Sequence, residues 1–73
     1  MKTNVHVVPR DGSWAVRKEG AQRDSSHHET QAEAINAAKQ TAHREGTEMF
    51  IHGRNGQIRE RNTYGHDPFP LEG

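Results

Sequence analysis

The chain has 73 residues, in which ten lysines and arginines balance ten aspartates and glutamates, with six histidines and no cysteine. A chain this short forms one domain at most, and its core is too thin to enclose a small-molecule cavity of the usual ~300–1,000 Å³. The lack of cysteine excludes disulfides, thiolate chemistry and sulfur-ligated zinc. No apolar stretch reaches the ~20 residues of a membrane span and no secretory signal pattern is present, so we expect a cytoplasmic protein without membrane association.

The first part of the chain has the alternating pattern of β-strands. Residues 4–8 place two valines on one face, and residues 14–19 place Trp14 and Val16 on one face. Pro9 and the Asp11-Gly12 pair provide the turn between these strands. A third strand over residues 22–28 stays open, because Asp24 and the serines after it disfavour strand structure.

A helix is predicted over residues 31–45. Thr30 and Glu33 have the spacing of a capping box, in which the threonine hydroxyl accepts from the Glu33 amide and the carboxylate bonds back to the Thr30 amide. Gly46 is a typical helix stop. The helix carries one stripe of mostly small side chains at helical spacing, formed by Ala34, Ile35, Ala38, Thr41 and Ala42. We expect Ile35 on this stripe to meet Trp14 across a helix–sheet interface.

A hairpin is predicted over residues 48–61, since Asn55-Gly56 between two strand-like segments supports a tight turn. The remaining tail, residues 62–73, contains Pro68 and Pro70 and is expected to be extended, with Phe69 and Leu71 docked on the domain. The predicted fold is therefore a single α+β domain of order β-β-(β)-α-β-β. In it an antiparallel sheet packs on one amphipathic helix and an extended C-terminal tail follows.

Five short motifs together resemble one bacterial family, the domain of unknown function 2188. They are His6-Val7-Val8-Pro9, Gly12-x-Trp14-Ala15-Val16, Thr30-Gln31-x-Glu33-Ala34, His52-Gly53-Arg54-x-Gly56-x-Ile58-Arg59-Glu60 and Tyr64-Gly65-x-Asp67-Pro68. The likeness covers nearly the whole chain, and it implies a small bacterial or phage-encoded protein. The sequence departs from the family pattern at His27-His28, where more apolar residues are expected. The resemblance implies no activity, cofactor or catalytic residue.

The residue patterns provide no support for metal binding or catalysis. His27 and His28 are adjacent, so on a strand they would point to opposite faces, and the other histidines lie far apart in sequence. No serine lies in a Gly-x-Ser-x-Gly elbow, and the aspartates are explained by turns. We therefore expect no enzyme activity, no catalytic residue, no metal, no cofactor and no small-molecule substrate.

The C-terminal hairpin carries the strongest candidate site. With a loop at residues 53–56, alternation places Met49, Ile51, Ile58 and Glu60 toward the helix. The other face then combines aromatic and cationic side chains, and Arg54 lies at the tip. Such a sheet face can stack bases and contact phosphates. The candidate nucleic-acid-binding residues are Phe50, His52, Arg54, Arg59 and Arg61. The alternative is an ordinary solvated sheet face, and a slip of one residue in the hairpin would exchange the faces.

The sequence thus predicts a small non-catalytic binding module, with nucleic acid as the expected ligand of the hairpin face. The zero formal net charge argues against this ligand. The alternative is a protein-interaction or self-assembling module, with a protein partner or a second copy bound at an open sheet edge or by the C-terminal tail.

Overall fold

The computed structural model describes residues 3–64 of the chain. Its elements follow the order β1 (Val5–Arg10), β2 (Ser13–Lys18), β3 (Ser26–His28), α1 (Gln31–Glu45), β4 (Glu48–His52) and β5 (Ile58–Thr63). The five strands form one sheet of order β3-β2-β1-β4-β5. The α+β class is confirmed, but the sheet is mixed and not purely antiparallel, because β1 and β4 run parallel. The chain returns from β3 to β4 through α1, the kind of long crossover that a parallel pair requires.

The strand boundaries differ from the predictions in ways that the chemistry explains. β1 continues through Pro9, which lies opposite Trp14 of β2. Proline is tolerated there because β4 pairs only with Val5–Val7, so the side of β1 next to Pro9 carries no ladder from β4. The third strand exists but is three residues long, since the Asp24-Ser25 segment stays outside it. Asn62 and Thr63, predicted as tail, belong to β5. The predicted docking of Phe69 and Leu71 lies outside the described residues.

The helix covers one face of the sheet and has the predicted bounds. Thr30 has an extended backbone and its hydroxyl accepts from the Glu33 amide at 3.1 Å. Gly46 ends the helix in the left-handed conformation, with φ of 69°, which glycine adopts without steric cost. The core contains the buried residues Val5, Val7, Trp14, Val16, Ala34, Ala38, Ala42, Met49 and Ile51, and Ile35 packs against this cluster. Small alanines let α1 lie close to β1–β4. Among the described residues it does not reach β5.

The hairpin between β4 and β5 contains a β-bulge that sequence reasoning missed. Ile51 lies opposite Glu60, but His52 lies opposite Ile58, so Arg59 is an extra residue. A bulge of this kind breaks the simple alternation of faces. The prediction that Ile58 packs under the helix is therefore wrong, and 56% of Ile58 is exposed.

No helix within residues 3–64 is long and apolar enough to cross a membrane.

Candidate nucleic-acid interface

The face of the sheet opposite α1 carries the candidate site, and we call it the open face. Alternation along the strands turns Val5, Val7, Met49 and Ile51 toward the helix and the residues between them away from it. The open face is defined by His6, Val8, Arg17, Phe50, His52 and Arg61, which come from β1, β2, β4 and β5.

An aromatic row lies at the centre of the open face. Because β1 and β4 pair in parallel, His6 is the register partner of Phe50. The two rings stack with centroids 5.0 Å apart and planes 18° apart. His52, two residues along β4, places its ring centroid 5.2 Å from that of His6. His6 thus forms one group with Phe50 and His52, although it lies more than forty positions before them in sequence.

A chain of hydrogen bonds runs through this row. His6 Nδ1 lies 2.9 Å from His52 Nε2, and His52 Nδ1 lies 3.0 Å from the carbonyl oxygen of Gly56. At the other end, His6 Nε2 lies 3.1 Å from Glu19 Oε1. The β4–β5 turn provides the Gly56 carbonyl, and Gly56 has a φ of 85°, a conformation that favours glycine. The turn is braced by the bond from the Gly53 amide to the Gln57 carbonyl at 2.8 Å.

Two arginines flank the aromatic row. Arg61 is the cross-strand partner of Phe50 and is exposed. Arg17 is the partner of His6 on β2, and its Nε and Nη2 both donate to the Ala21 carbonyl, at 2.9 and 2.6 Å. Neither arginine makes an ion pair with a carboxylate of residues 3–64. Their positive charges therefore remain available to an anionic ligand.

Of the five residues predicted for the site, the structure brings three together. Phe50, His52 and Arg61 lie on the open face. Arg54 lies exposed in the turn, and Arg59 is the extra residue of the bulge. Within the described part of the chain, no hydrogen bond or ion pair joins either of these arginines to the other three.

Sequence reasoning missed His6, Arg17 and Glu19. Only the pairing of β1 with β4, and of β1 with β2, brings them to the site. The signal that could have pointed to His6 is its position between two core valines, which requires it to face away from the helix.

The nearest strong ion pair lies beside the open face, not within it. Arg10 Nε and Nη2 donate to the two carboxylate oxygens of Asp24, both at 2.9 Å, and His27 Nε2 lies 3.0 Å from Asp24 Oδ2. The hydrogen bonds from Arg10, together with its charge, lower the pKa of Asp24 below its ordinary value. The same contact raises the pKa of Arg10. This pair ties the β2–β3 connection to the end of β1.

The described part of the chain contains no candidate metal-binding site. No group of three or more histidine, aspartate or glutamate side chains there is arranged to hold a metal ion.

Comparisons with known proteins identify the family. The chain is 39% identical over 61 residues to "Uncharacterized protein YdaT" of Bacillus subtilis (strain 168). The alignment covers 84% of this chain but only 41% of that relative, so the chain spans less than half of the relative's length. No solved structure matches. The family described as "Uncharacterized protein conserved in bacteria (DUF2188)" matches residues 5–64, which confirms the resemblance seen in the motifs, and the chain belongs to this family.

Proposed function

We propose that the protein is a non-catalytic module that binds single-stranded nucleic acid on its open face. The observation that carries the proposal is the aromatic row of His6, Phe50 and His52, set between Arg17 and Arg61 on the face opposite the helix. Proteins that bind single strands combine stacking platforms with cations that follow the backbone. A sheet face that displays aromatic rings and cations at adjacent positions suits a single strand better than it suits a duplex, whose bases lie within grooves.

The proposal includes a way in which a base would be held. The ring of His6, on β1, covers one face of Phe50. β5 lies on the other side of β4, so the second face of Phe50 is directed toward Arg61. A base inserted there would stack on Phe50 while its phosphate meets the guanidinium of Arg61. Stacking on an aromatic side chain contributes about 1–3 kcal/mol per base.

The local charge offsets the objection from the zero net charge of the chain. Glu19 is already engaged by His6, and Asp24, beside the open face, by Arg10 and His27. Arg17, Arg59 and Arg61 have no such partner among residues 3–64. The distribution of charge, and not the total, determines whether a phosphate backbone is attracted.

Fluorescence anisotropy with labelled oligonucleotides tests the proposal. We expect single-stranded probes to bind at low salt and duplex probes of the same sequence to bind more weakly. The variant Arg61→Ala should weaken binding and reduce the slope of log affinity against log salt by roughly 0.7, the value for one phosphate contact. The matched control is Arg44→Ala, which removes the same charge from an exposed position of the helix and should leave the slope unchanged.

Two results would overturn the proposal. One is the absence of binding at about 100 μM protein, the weak end of ordinary non-specific affinity. The other is an equal loss of affinity in the helix control and in the strand variant, because binding would then follow the total charge and not the open face.

A second candidate, a protein-interaction module, rests on the exposed edge strand β5. It lies at the end of the sheet order and carries the exposed Ile58. An extended segment of another protein could pair with it. Self-pairing is disfavoured, because a symmetric antiparallel pair centred on Glu60 or Arg61 would place like charges opposite each other. Partners captured from a bacterial lysate that persist after nuclease treatment, and that are lost with Ile58→Lys, would favour this candidate.

A further inference from the structure

A small cleft on the open face lies beside the histidine pair. It is lined by His6, Val8, Arg17, Glu19, Gly20 and His52 and has a volume of about 240 Å³. Sites for whole small molecules usually exceed about 300 Å³. A cleft of this size therefore suits one group of a larger ligand, and its polar lining consists of two imidazoles, one guanidinium and one carboxylate.

The hydrogen bonds fix the proton on His52. The carbonyl oxygen of Gly56 can only accept, so His52 Nδ1, which lies 3.0 Å from it, must carry a proton and donate. In the neutral ring the other nitrogen, Nε2, is then an acceptor. It faces His6 Nδ1 at 2.9 Å, so His6 Nδ1 donates when His52 is neutral and accepts when His52 carries both protons.

The same reasoning fixes one proton on His6. A carboxylate only accepts, so His6 Nε2 must donate to Glu19 Oε1. The contact between His6 Nδ1 and His52 Nε2 needs one further proton, which either nitrogen can carry. In both arrangements His6 Nε2 is an N–H donor directed at the carboxylate of Glu19.

The charged groups around His6 come from three strands. From β2 and the residue after it come Arg17 and Glu19, from β4 come Glu48 and His52, and from β5 comes Arg61. Of these, only Glu19 contacts His6 as an anion, and its side chain is 57% exposed. Arg17 uses two of its nitrogens on the Ala21 carbonyl, and its guanidinium retains further N–H groups for a ligand.

We propose that this cleft is a phosphate subsite, in which the carboxylate of Glu19 occupies the place of a phosphate oxygen while the protein is free. A phosphate of the ligand displaces Glu19 and accepts from His6 Nε2 and from Arg17. His52 acts as a positioning residue, because its contact with His6 Nδ1 holds the ring with Nε2 directed at the anion. The identity of the phosphate as a backbone phosphodiester rests on the proposed function, whereas the anion site itself does not. Because exposed ion pairs contribute at most about 1 kcal/mol, removal of the Glu19 charge should strengthen anion binding by up to about fivefold.

The first test is direct observation of the imidazole protons. Long-range ¹H–¹⁵N NMR spectra of the protein at pH 7 distinguish protonated from unprotonated ring nitrogens. We expect His6 Nε2 and His52 Nδ1 both to carry protons. In the variant His52→Phe, His6 Nδ1 loses its hydrogen-bond partner, and the ¹⁵N signal of that nitrogen should shift. An unprotonated His6 Nε2 in the parent at pH 7 would overturn the proposal.

The second test uses inorganic phosphate as the probe. Saturable shifts of the His6 ring and of the Arg17 guanidinium signals are expected, with tighter binding in Glu19→Gln than in the parent. The matched control is Glu33→Gln, which removes one charge from an exposed position of the helix and should bind as the parent does. The absence of a saturable response at His6 in Glu19→Gln, at millimolar phosphate, would overturn the subsite.

Failures of the two proposals are distinguishable. If single-stranded oligonucleotides bind but Glu19→Gln changes neither oligonucleotide nor phosphate affinity, the subsite is wrong and the nucleic-acid proposal stands on other residues. If phosphate binds at His6 but oligonucleotides do not bind, the subsite stands and the nucleic-acid proposal is wrong. Inorganic phosphate alone is the control in both assays. It separates a site that binds free anions from a site that binds the phosphates of a nucleic-acid backbone.

Discussion

The ion pair between Arg10 and Asp24 should contribute measurably to stability. Asp24→Asn removes the carboxylate and turns an amide group toward the guanidinium, so at most one of the two 2.9 Å bonds survives. Hydrogen bonds to charged groups contribute about 1.5–3 kcal/mol, and fully exposed pairs at most about 1 kcal/mol. The side chain of Asp24 is 11% exposed and that of Arg10 is 36% exposed. We therefore expect a loss of about 2 kcal/mol at pH 7.

The pH dependence of this loss has a defined sign. Arg10 lowers the pKa of Asp24 in the folded protein, relative to about 3.9 in an unfolded chain. Stability from this group is therefore fully present above the unfolded value and is lost as the pH falls through the lower, folded value. The difference in unfolding free energy between parent and Asp24→Asn should be constant from about pH 5 to 6 and should shrink below about pH 4.

Urea unfolding across this pH range provides the measurement. For a domain of this size the slope is about 1 kcal/mol per molar urea, so a loss of 2 kcal/mol moves the midpoint by about 2 M. The control is Asp11→Asn, at an exposed turn residue with a φ of 50° that asparagine also tolerates. Equal midpoints for parent and Asp24→Asn at pH 7, or a difference that grows as the pH falls below 4, would refute the reasoning.

Three further changes concern the helix and the core. Thr30→Ala should cost about 1 kcal/mol by removing the cap on the Glu33 amide, and an unchanged urea midpoint would contradict this. Trp14→Ala should cost about 3–5 kcal/mol, since Trp14 is 5% exposed, and red-shifted, solvent-exposed tryptophan fluorescence in the parent would argue against its burial. Thr47→Val should raise stability by about 1 kcal/mol, because the buried Thr47 hydroxyl has no hydrogen-bond partner among the described residues; a lower melting temperature would show that the hydroxyl is satisfied.

Local signals in the sequence were enough to predict the helix. Its first residue follows from the Thr30 cap and its last from Gly46, and both act within a few residues of the chain. The return bond from the Glu33 carboxylate does not appear among the hydrogen bonds of the described residues, so the capping box is half formed. The poor strand propensity of the Asp24-Ser25 segment likewise agrees with the shortness of β3.

The hairpin shows how one residue changes the composition of a face. The turn at Asn55-Gly56 was predicted, but the insertion of Arg59 into the ladder was not. Alternation extrapolated through a bulge assigns the residues on one side of it to the wrong face, here those between the turn and Arg59. Ile58 was therefore predicted as core and is exposed, whereas Phe50 and Arg61, before and after the irregularity, share a face as predicted.

The histidine pair could not be predicted, because it depends on a pairing between distant strands. A parallel partner for β1 is not joined to it by a tight turn, so no local sequence signal indicates the pairing. β4 lies beside β1 only because α1 carries the chain back across the sheet. That crossover places His6 against Phe50 and His52 on one side, while the β1–β2 hairpin places it against Arg17 and Glu19 on the other. Each neighbour alone is an unremarkable surface residue. Together they direct an imidazole N–H at the centre of the sheet toward a carboxylate that is exposed enough to move away. An anion that approaches the open face therefore meets a prearranged donor, and the sheet topology, more than any local motif, makes this position the place to test for binding.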